Sequence, residues 1–356
     1  SFRRTHMPFN AEQLAAGAKV SLDHYLRNKP PVDQINVAHP LYKKLDASKS
    51  EWDGSLTYVV EQLRKSNDSN FQPYFGDSEI TFNRKRTVDQ AKYTWGNVFD
   101  GFALNEDELR QNGIKIVADK APTATDNEMI QLTNLLDENN ATLVTGFEEN
   151  LDLALHRSNA ADPLLPPGLD HLISLDPAGQ TNVGTINPTT STWWRNFASP
   201  NVNPDDLINE MEIAWRETTR YGGATPDFIL VGSDFLDAYR QQAGITINRN
   251  VFNGGNTKGG VSLDAAVTDV FFKGVQLVWD PVFDTLDALD SPAIAWAKRC
   301  YFINTKTVKL RPISGSWMQK RQPPTVYNRF VHYFGMTSSY ALSTNKRRAN
   351  AVLSIY

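Results

Sequence analysis

Large apolar side chains recur along the chain at spacings that change from segment to segment, and each spacing predicts a kind of element. Between residues 127 and 157 they return every three, four or seven positions, so they form one stripe on a helix. Thr125 and Glu128 have the spacing of a capping box at its start. At about 1.5 Å per residue, the helix is a rod of roughly 45 Å, which is long for a globular protein.

Two segments before this helix are typical of β-strands. Residues 55–63 and 79–97 are rich in β-branched and aromatic side chains, and the polar connection from Arg64 to Asp77 joins them into a long hairpin. A two-stranded hairpin is marginal in water by itself, so we expect another surface to hold it. Five basic side chains of the hairpin suit either solvent or an acidic neighbour, and both interpretations stay open. They are Arg64, Lys65, Arg84, Lys85 and Arg86.

The first 53 residues predict little that would fold alone. Asn10 begins a short helix with a narrow apolar stripe, which ends before two consecutive prolines. From Lys29 to Asp53 the sequence is basic, interrupted by proline and without lasting periodicity. We therefore expect an extended arm that lies on another surface. After the hairpin, Asn105 is placed to cap a second short helix with an acidic first turn.

The second half of the chain predicts helices alternating with strands, which is typical of an α/β layer. Prolines from 163 to 167 break the long helix, and a polar stretch up to Pro204 marks a domain boundary. A helix then runs from Asn203 to the glycines at 222–223, Asp227–Val231 is a buried strand, and a further helix ends at Gly244. Residues 249–260 predict a loop. Further strands are expected at Phe272–Asp280, Tyr301–Arg311, Thr325–Tyr340 and Asn350–Tyr356.

The composition is that of a folded globular protein, with 40% hydrophobic and 11% aromatic residues. The single cysteine, Cys300, allows no disulfide within the chain and lies in a predicted strand, so we expect a thiol in the core. No apolar run approaches the roughly 18 to 20 residues that a membrane span needs. The first residues contain no apolar segment of a secretion signal.

Charge is distributed unevenly along the 356 residues. Residues 1–50 carry a net charge of +4, residues 51–300 carry −17 and residues 301–356 carry +9, which leaves −4 overall. The basic ends could cover the acidic middle within one molecule, or they could reach the acidic middle of neighbouring copies in an assembly. A third interpretation is nucleic-acid binding by the basic last segment, in which aromatic residues are interspersed.

The search for catalytic motifs yields nothing that points to an enzyme. Residues 254–260 are rich in glycine but lack the ending of a phosphate-binding loop. The six histidines stand far apart, without the spacing of a zinc site, and no serine has the sequence context of a hydrolase nucleophile. We therefore predict no catalytic residue, no cofactor and no metal. A site that only the fold assembles stays open, because such sites are defined by geometry.

Seven short motifs, in their order along the chain, carry a resemblance to a known family. They are Trp95–Phe102, Leu153–His156, Leu165–Asp170, Pro226–Val231, Phe272–Leu277, Tyr333–Met336 and Asn345–Arg348. With the arm, the hairpin and the long helix, this order resembles the major capsid proteins of tailed double-stranded DNA bacteriophages. Their fold, the Hong Kong ninety-seven fold, is also that of encapsulins. The resemblance covers nearly the whole chain and implies the α+β class.

The resemblance also implies a division of the chain. It implies an N-terminal arm at 1–53 and an extended loop, the β-hairpin, at 54–98. A peripheral domain would combine 99–160, including the long helix 127–157, with 306–356, and an axial α/β domain would occupy 161–305. In the family, the arm and the extended loop lie across adjacent subunits.

The function implied is that of a structural protein of the virion capsid, assembled in the host cytoplasm. It would form hexamers and pentamers of an icosahedral shell around packaged double-stranded DNA, which it would contact without sequence specificity. Scaffolding, portal and decoration proteins are the further partners implied, and no membrane is. The alternatives are an encapsulin-like compartment protein and a soluble α+β enzyme. The predicted intersubunit contacts are Arg64, Lys65, Arg84, Lys85, Arg86, Lys43 and Lys44.

Overall fold

The computed structural model describes residues 37–54, 57–105, 107, 126–158, 162–221, 225–252, 270–321 and 331–356. From Ala38 onward they belong to one compact unit. The predicted helix that begins at Asn10 and the one capped by Asn105 lie outside the described residues. The described residues form six α-helices: α1 Pro40–Ala47, α2 Asp126–His156, α3 Leu169–Leu172, α4 Leu207–Arg220, α5 Ser233–Phe252 and α6 Val282–Asp290.

The described strands form three sheets. The first is a hairpin of two strands, β1 Tyr58–Arg64 and β2 Val88–Thr94. The second has four strands, β3 Gly96–Asn105, β9 Val308–Pro312, β10 Gln319–Arg321 and β11 Val331–Thr344. The third has six strands, β4 Phe197–Val202, β5 Phe228–Val231, β6 Val270–Phe272, β7 Val275–Trp279, β8 Arg299–Ile303 and β12 Ala351–Ile355.

The hairpin is shorter than predicted. β1 pairs with β2 from Tyr58 opposite Thr94 to Arg64 opposite Val88, and one further bond joins the Lys65 N–H to the Thr87 carbonyl. Residues 79–87, predicted as strand, are not in a ladder, because the segment that would pair with them contains Pro73, which cannot donate a hydrogen bond. The predicted second strand also continued to residue 97, but from Gly96 the chain belongs to β3.

The four-stranded sheet is organised around β11. The first part of this strand pairs with β3, and its last five residues pair with β9. Sequence analysis missed β3, because its partner lies more than 200 residues away. Gly101 lies opposite Gly335, and the Phe99 ring covers both, so that a Cβ on either glycine would meet the ring. The close cover explains why glycine occupies both positions.

The six-stranded sheet has the order β4-β12-β8-β5-β7-β6 and is mixed. Helices α4 and α5 pack on it and form a core with the alternate strand residues Ile229, Val231, Cys300 and Phe302. Cys300 is free and buried, as predicted, and burial raises the pKa of its thiol. Tyr301, between two of these positions, faces the other way and contacts Phe283 of α6.

Two segments that were each predicted as one strand contain residues of two separate strands. Phe272–Asp280 is interrupted after Phe272 by a turn in which Lys273 and Gly274 both have positive φ, so that β6 and β7 form a hairpin. Tyr301–Arg311 divides into β8 and β9, which lie in different sheets. A turn separates them, in which Thr307 and Val308 donate to the Asn304 carbonyl. The alternation of apolar residues resumes after this turn, so the sequence pattern concealed it.

The prediction of an extended chain at residues 29–53 was wrong for Pro40–Ala47, which form α1. Pro40 occupies the first turn of α1, and Leu41, Tyr42 and Leu45 are buried on one side of the helix. After α1, Ser50 and Trp52 donate main-chain hydrogen bonds to β9, at 3.0 and 2.9 Å. The segment therefore lies on a surface, as expected of the arm, but that surface belongs to its own chain.

The predicted helices agree more closely. Helix α2 begins and ends within one residue of the predicted range 127–157. Helix α4 was predicted to begin at Asn203, but it begins at Leu207, after a short 3₁₀ helix at Pro204–Asp206. Helix α5 continues to Phe252, so the residues 249–252 predicted as loop are helical. Sequence analysis also missed α6 and β4. None of the helices in the described part of the chain combines enough length with enough apolar residues to cross a membrane.

Candidate assembly surface

The hairpin carries an unusual group of exposed aromatic side chains beyond its ladder. We call residues 65–87 the hairpin tip. Phe71, Phe75 and Phe82 are 93, 90 and 91% exposed, and Tyr74 is 68% exposed. Aromatic side chains are normally buried, because each removes 150–250 Å² of surface from water. Apolar groups exposed together in this way mark a surface that contacts a partner.

Hydrogen bonds between polar side chains give the tip its shape in place of a core. Asn70 donates to the Thr81 carbonyl, and the Thr81 hydroxyl donates to the Gln72 amide oxygen at 3.1 Å. Nearer the ladder, the Arg86 main-chain N–H donates to the Asp68 carboxylate at 3.2 Å. The two legs of the tip are therefore joined to each other, although no strand pairing joins them.

The base of the hairpin is fixed to the body of the protein. Tyr93 is buried, and its hydroxyl donates to the Thr344 carbonyl at 2.8 Å. Arg311 on β9 forms a hydrogen-bonded ion pair with Glu61 on β1 at 2.8 Å. Both contacts involve strands of the four-stranded sheet, so the hairpin has an anchored base and an exposed tip.

The basic residues predicted as intersubunit contacts fall in two places. Five lie on the hairpin at or near the tip, where Arg64, Arg84, Lys85 and Arg86 are exposed and Lys65 lies 3.6 Å from the Asp89 carboxylate. Lys43 and Lys44 are elsewhere, on α1. Lys43 is exposed, whereas the Lys44 ammonium lies 5.7 Å from the centre of the Phe228 ring. Five of the seven predicted contact residues therefore lie together on the hairpin. Sequence analysis did not single out the phenyl rings of the tip, although their clustering in a polar segment was visible.

A second feature, which sequence analysis did not predict, is a buried charged cluster at the end of α2. The Asp152 carboxylate accepts a hydrogen bond from the Tyr42 main-chain N–H at 3.2 Å and lies 2.9 Å from Nδ1 of His39. His39 precedes α1 and does not cap it with its own side chain. Asp152, from a helix 110 residues further along, supplies the missing N-terminal cap of α1.

His156 continues the cluster toward the six-stranded sheet. Its Nδ1 donates to the Asp152 main-chain carbonyl at 2.7 Å, and its Nε2 lies 2.9 Å from the Asp280 carboxylate. Asp280 follows β7 and accepts from the Val282 N–H at 3.0 Å, which caps the start of α6. We call His39, Asp152, His156 and Asp280 the joint, because they connect α1, α2 and the six-stranded sheet.

All four residues of the joint are buried, and three have no exposed surface at all. Burial opposes the charged form of His156, but the carboxylates of Asp152 and Asp280 outweigh it and raise its pKa to about 9. The hydrogen bond to Asp152 raises the pKa of His39 as well. His156 is therefore an imidazolium at neutral pH, at a helix C-terminus, where a cation is favoured.

The joint brings together potential metal ligands, since ligand atoms of Asp152, His156 and Asp280 lie within 4.8 Å of one another. However, both nitrogens of His156 already have protein partners, and Asp280 is occupied at both carboxylate oxygens. The arrangement is therefore a closed hydrogen-bond network, and we assign no metal to it.

Arg347 is a further buried polar centre that sequence analysis did not single out by itself. Its guanidinium donates to the carbonyls of Leu172 and Trp194 at 2.8 Å each, and to the side-chain oxygens of Gln180 and Asn196. Burial lowers the pKa of Arg347 to about 10. The contacts attach the irregular segment between α3 and β4 to the end of β11.

The architecture defines a class of protein: an α+β fold with a long helix, a projecting hairpin and a mixed sheet that carries two helices. Known phage capsid structures have this fold. The chain resembles the cyanophage A-1(L) capsid asymmetric unit with a TM-score of 0.61, at 12% identity over 91% of this chain and 94% of that chain. The predicted α+β capsid fold is thus confirmed.

Two further solved structures agree. The capsid of cyanophage P-SCSP1u matches with a TM-score of 0.54, at 8% identity over 92% of this chain and 91% of that chain. A chain of Mycobacterium phage Bobi matches with a TM-score of 0.52, at 11% identity over 95 and 98%. No family model and no curated protein matches the sequence. At such low identities, the similarity is one of fold.

Proposed function

We propose that this chain is a major capsid protein, which assembles into the hexamers and pentamers of an icosahedral shell around packaged double-stranded DNA. The observation that carries the proposal is the fold, because its match to the cyanophage A-1(L) capsid covers nearly all of both chains. A fold by itself does not specify a function. Independent support comes from the hairpin tip, whose exposed phenyl rings indicate a surface that becomes buried against a partner.

The proposed partner of the tip is a second copy of the chain. The acidic middle of the sequence carries a net charge of −17, and the tip presents exposed Arg84, Lys85 and Arg86 beside its phenyl rings. Opposite charges would select the docking position, while burial of the rings would supply most of the free energy. Repetition of a modest contact around a closed shell would stabilise the whole assembly.

The domain division follows the resemblance, with one change. The arm is 1–53, the extended loop is 54–98, and the axial domain is 161–305. The peripheral domain combines 99–160 with 306–350. We assign residues 351–355 to the axial domain, because β12 pairs with β4 and β8 inside the six-stranded sheet.

The proposal includes a structural role without catalysis and a location in the virion capsid. Scaffolding, portal and decoration proteins are proposed as further partners, and packaged DNA as a non-specific one. Encapsulin-like compartments share the fold, but the three solved structures compared above are of phages, which favours the capsid. Portal and terminase genes beside the gene for this chain would separate the two.

Negative-stain electron microscopy of the purified chain tests the proposal directly. The expected result is closed shells or ring-shaped capsomers at one or more salt concentrations. A monodisperse monomer at every salt concentration, with the scaffolding protein also present, would contradict the proposal. Nuclease-resistant DNA inside the particles from infected cells would support packaging, and its absence would favour a compartment protein.

A further inference from the structure

The joint at the end of α2 connects the start of α1 to the rest of the protein, and α1 lies within the proposed arm, residues 1–53. Asp152 holds α1 in two ways, by capping its first turn and by pairing with His39. We propose that Asp152 and His156 form a proton-dependent latch that holds the root of the arm, residues 38–47, against the end of α2.

The charges of the joint make it sensitive to protons. With both histidines protonated, two imidazolium rings balance the carboxylates of Asp152 and Asp280. If His156 loses its proton, both buried carboxylates lose the cation between them, and an uncompensated buried charge is strongly destabilising. Two further neighbours of His156, the rings of Phe283 and Trp296, pack against it edge-on and carry no charge that could replace the lost cation.

His39 makes fewer hydrogen bonds within the joint than His156 does. Its Nδ1 contacts Asp152, whereas its Nε2 is buried without a hydrogen-bond partner. The acidic groups that act on His39 are Asp152 and Glu149 from α2, and Asp280 after β7. Those that act on His156 are Asp152 and Asp280. Every one of these groups favours the protonated form, so both histidines respond to pH in the same direction.

The direction follows from linkage. A histidine whose pKa is raised on folding stabilises the protein fully below its unfolded pKa of about 6.5, and this stabilisation is lost as the pH rises through the folded pKa. For His156 the loss extends to about pH 9. The latch is therefore closed at neutral and mildly acidic pH and opens under alkaline conditions. If the chain is the capsid protein proposed above, the latch holds residues 38–47 of its arm on the body of the same subunit.

Amide hydrogen exchange of the unassembled full chain, read by mass spectrometry, tests the latch without any need for assembly. Exchange in peptides covering 38–47 is compared at pH 6.5 and pH 10, after correction for the intrinsic rates. We expect protection to fall about tenfold or more at pH 10, as for the loss of a hydrogen bond to a charged group. Peptides from β8 should stay protected, which separates opening of the latch from unfolding.

Asp152→Asn should lose the protection of 38–47 already at pH 6.5, again by about tenfold or more. Asp290→Asn is the matched control, because Asp290 pairs with Arg157 at the same end of α2 but lies outside the joint, and it should behave as the wild type. If Asp152→Asn does not fold, His39→Gln keeps a donor to Asp152 without the charge and should reduce the dependence on pH.

Equal protection of 38–47 at both pH values in the wild type would overturn the latch, as would wild-type exchange in Asp152→Asn. Failure of the wild-type chain to form shells would overturn the proposed function instead. The two results are distinguishable, because the exchange experiment uses the unassembled chain.

Discussion

Replacing the phenyl rings of the hairpin tip should abolish assembly without destabilising the fold. The perturbation is the triple substitution Phe71→Ser, Phe75→Ser and Phe82→Ser. All three rings are at least 90% exposed in the single chain, so removing them leaves no cavity. Surface substitutions of this kind usually change the free energy of unfolding by less than about 0.5 kcal/mol. The effect is expected only where the rings become buried between subunits.

The magnitude follows from the area that the rings can lose. Burying a phenylalanine side chain from water is worth about 1.5 to 3 kcal/mol, so three rings contribute roughly 6 kcal/mol to each docking contact. Since about 1.4 kcal/mol corresponds to a factor of ten, the docking constant should fall by about 10⁴-fold. A shell requires this contact repeatedly, and the variant should therefore not assemble at concentrations at which the wild type does.

Light scattering against protein concentration measures the assembly threshold, and thermal unfolding of the unassembled chain checks the fold. The matched control is the triple exchange to leucine, which keeps apolar bulk at the same positions and should assemble at a threshold between those of wild type and serine variant. Assembly of the serine variant at the wild-type threshold would refute the assignment of the tip as a docking surface. A large loss of thermal stability would instead place the rings inside the folded chain.

Two further predictions concern the fold. Arg347→Lys keeps the buried charge but loses the planar guanidinium, so at least two of its four hydrogen bonds are lost, and the free energy of unfolding should fall by about 3 kcal/mol in urea titrations. Arg348→Lys is its control, because Arg348 is only half-buried and makes one hydrogen bond, and a loss equal to that of Arg347→Lys would contradict the argument. Gly232→Ala should destabilise by about 1 to 3 kcal/mol, because a Cβ there would overlap the Ala297 main chain. Gly146→Ala in α2 has space for the methyl group and should stabilise by about 0.5 to 1 kcal/mol, so equal thermal shifts in the two alanine variants would contradict this interpretation.

The sequence predicted the elements whose pattern is local. Helix α2 was predicted to within a residue because its apolar stripe persists over eight turns and is long enough to exclude a strand. A helix start was predicted at Asn203 and Pro204, where a short 3₁₀ helix, Pro204–Asp206, leads into α4, and the Asn203 side chain does accept a hydrogen bond from the Asp205 N–H. In these cases the residues that predict the element belong to it or lie within a few positions of it.

The elements that were missed depend on distant partners. β3 contains glycine and asparagine, which are poor strand formers, and it is a strand because β11 pairs with it along its whole length. The helical α1 was predicted as extended because its three apolar residues form a pattern too short to recognise. The joint could not be predicted either, since its contacts join residues 113 and 124 positions apart.

The residues of the candidate assembly surface were visible in the sequence only in part. The five basic residues of the hairpin lie together on one projecting element, whereas Lys43 and Lys44 lie apart on α1, and their role as intersubunit contacts stays a prediction. The phenyl rings of the tip were passed over, because Phe71 and Phe75 fall in a connection predicted from its polar residues, whereas Phe82 falls in a predicted strand. Only the structure shows that residues 65–87 have no core to enter.

The position of the last two strands bears on how the protein is synthesised. β11 is the middle of the four-stranded sheet, and β12 lies between β4 and β8 in the six-stranded sheet. The four-stranded sheet therefore cannot be complete until residue 344 has been translated, nor the six-stranded sheet until residue 355, although domains in general begin to fold during synthesis. Chains that terminate before residue 331 would lack β11 and β12, and thus one inner strand of each of these two sheets. A truncated chain would thus have incomplete sheets, and we expect it not to enter an assembly.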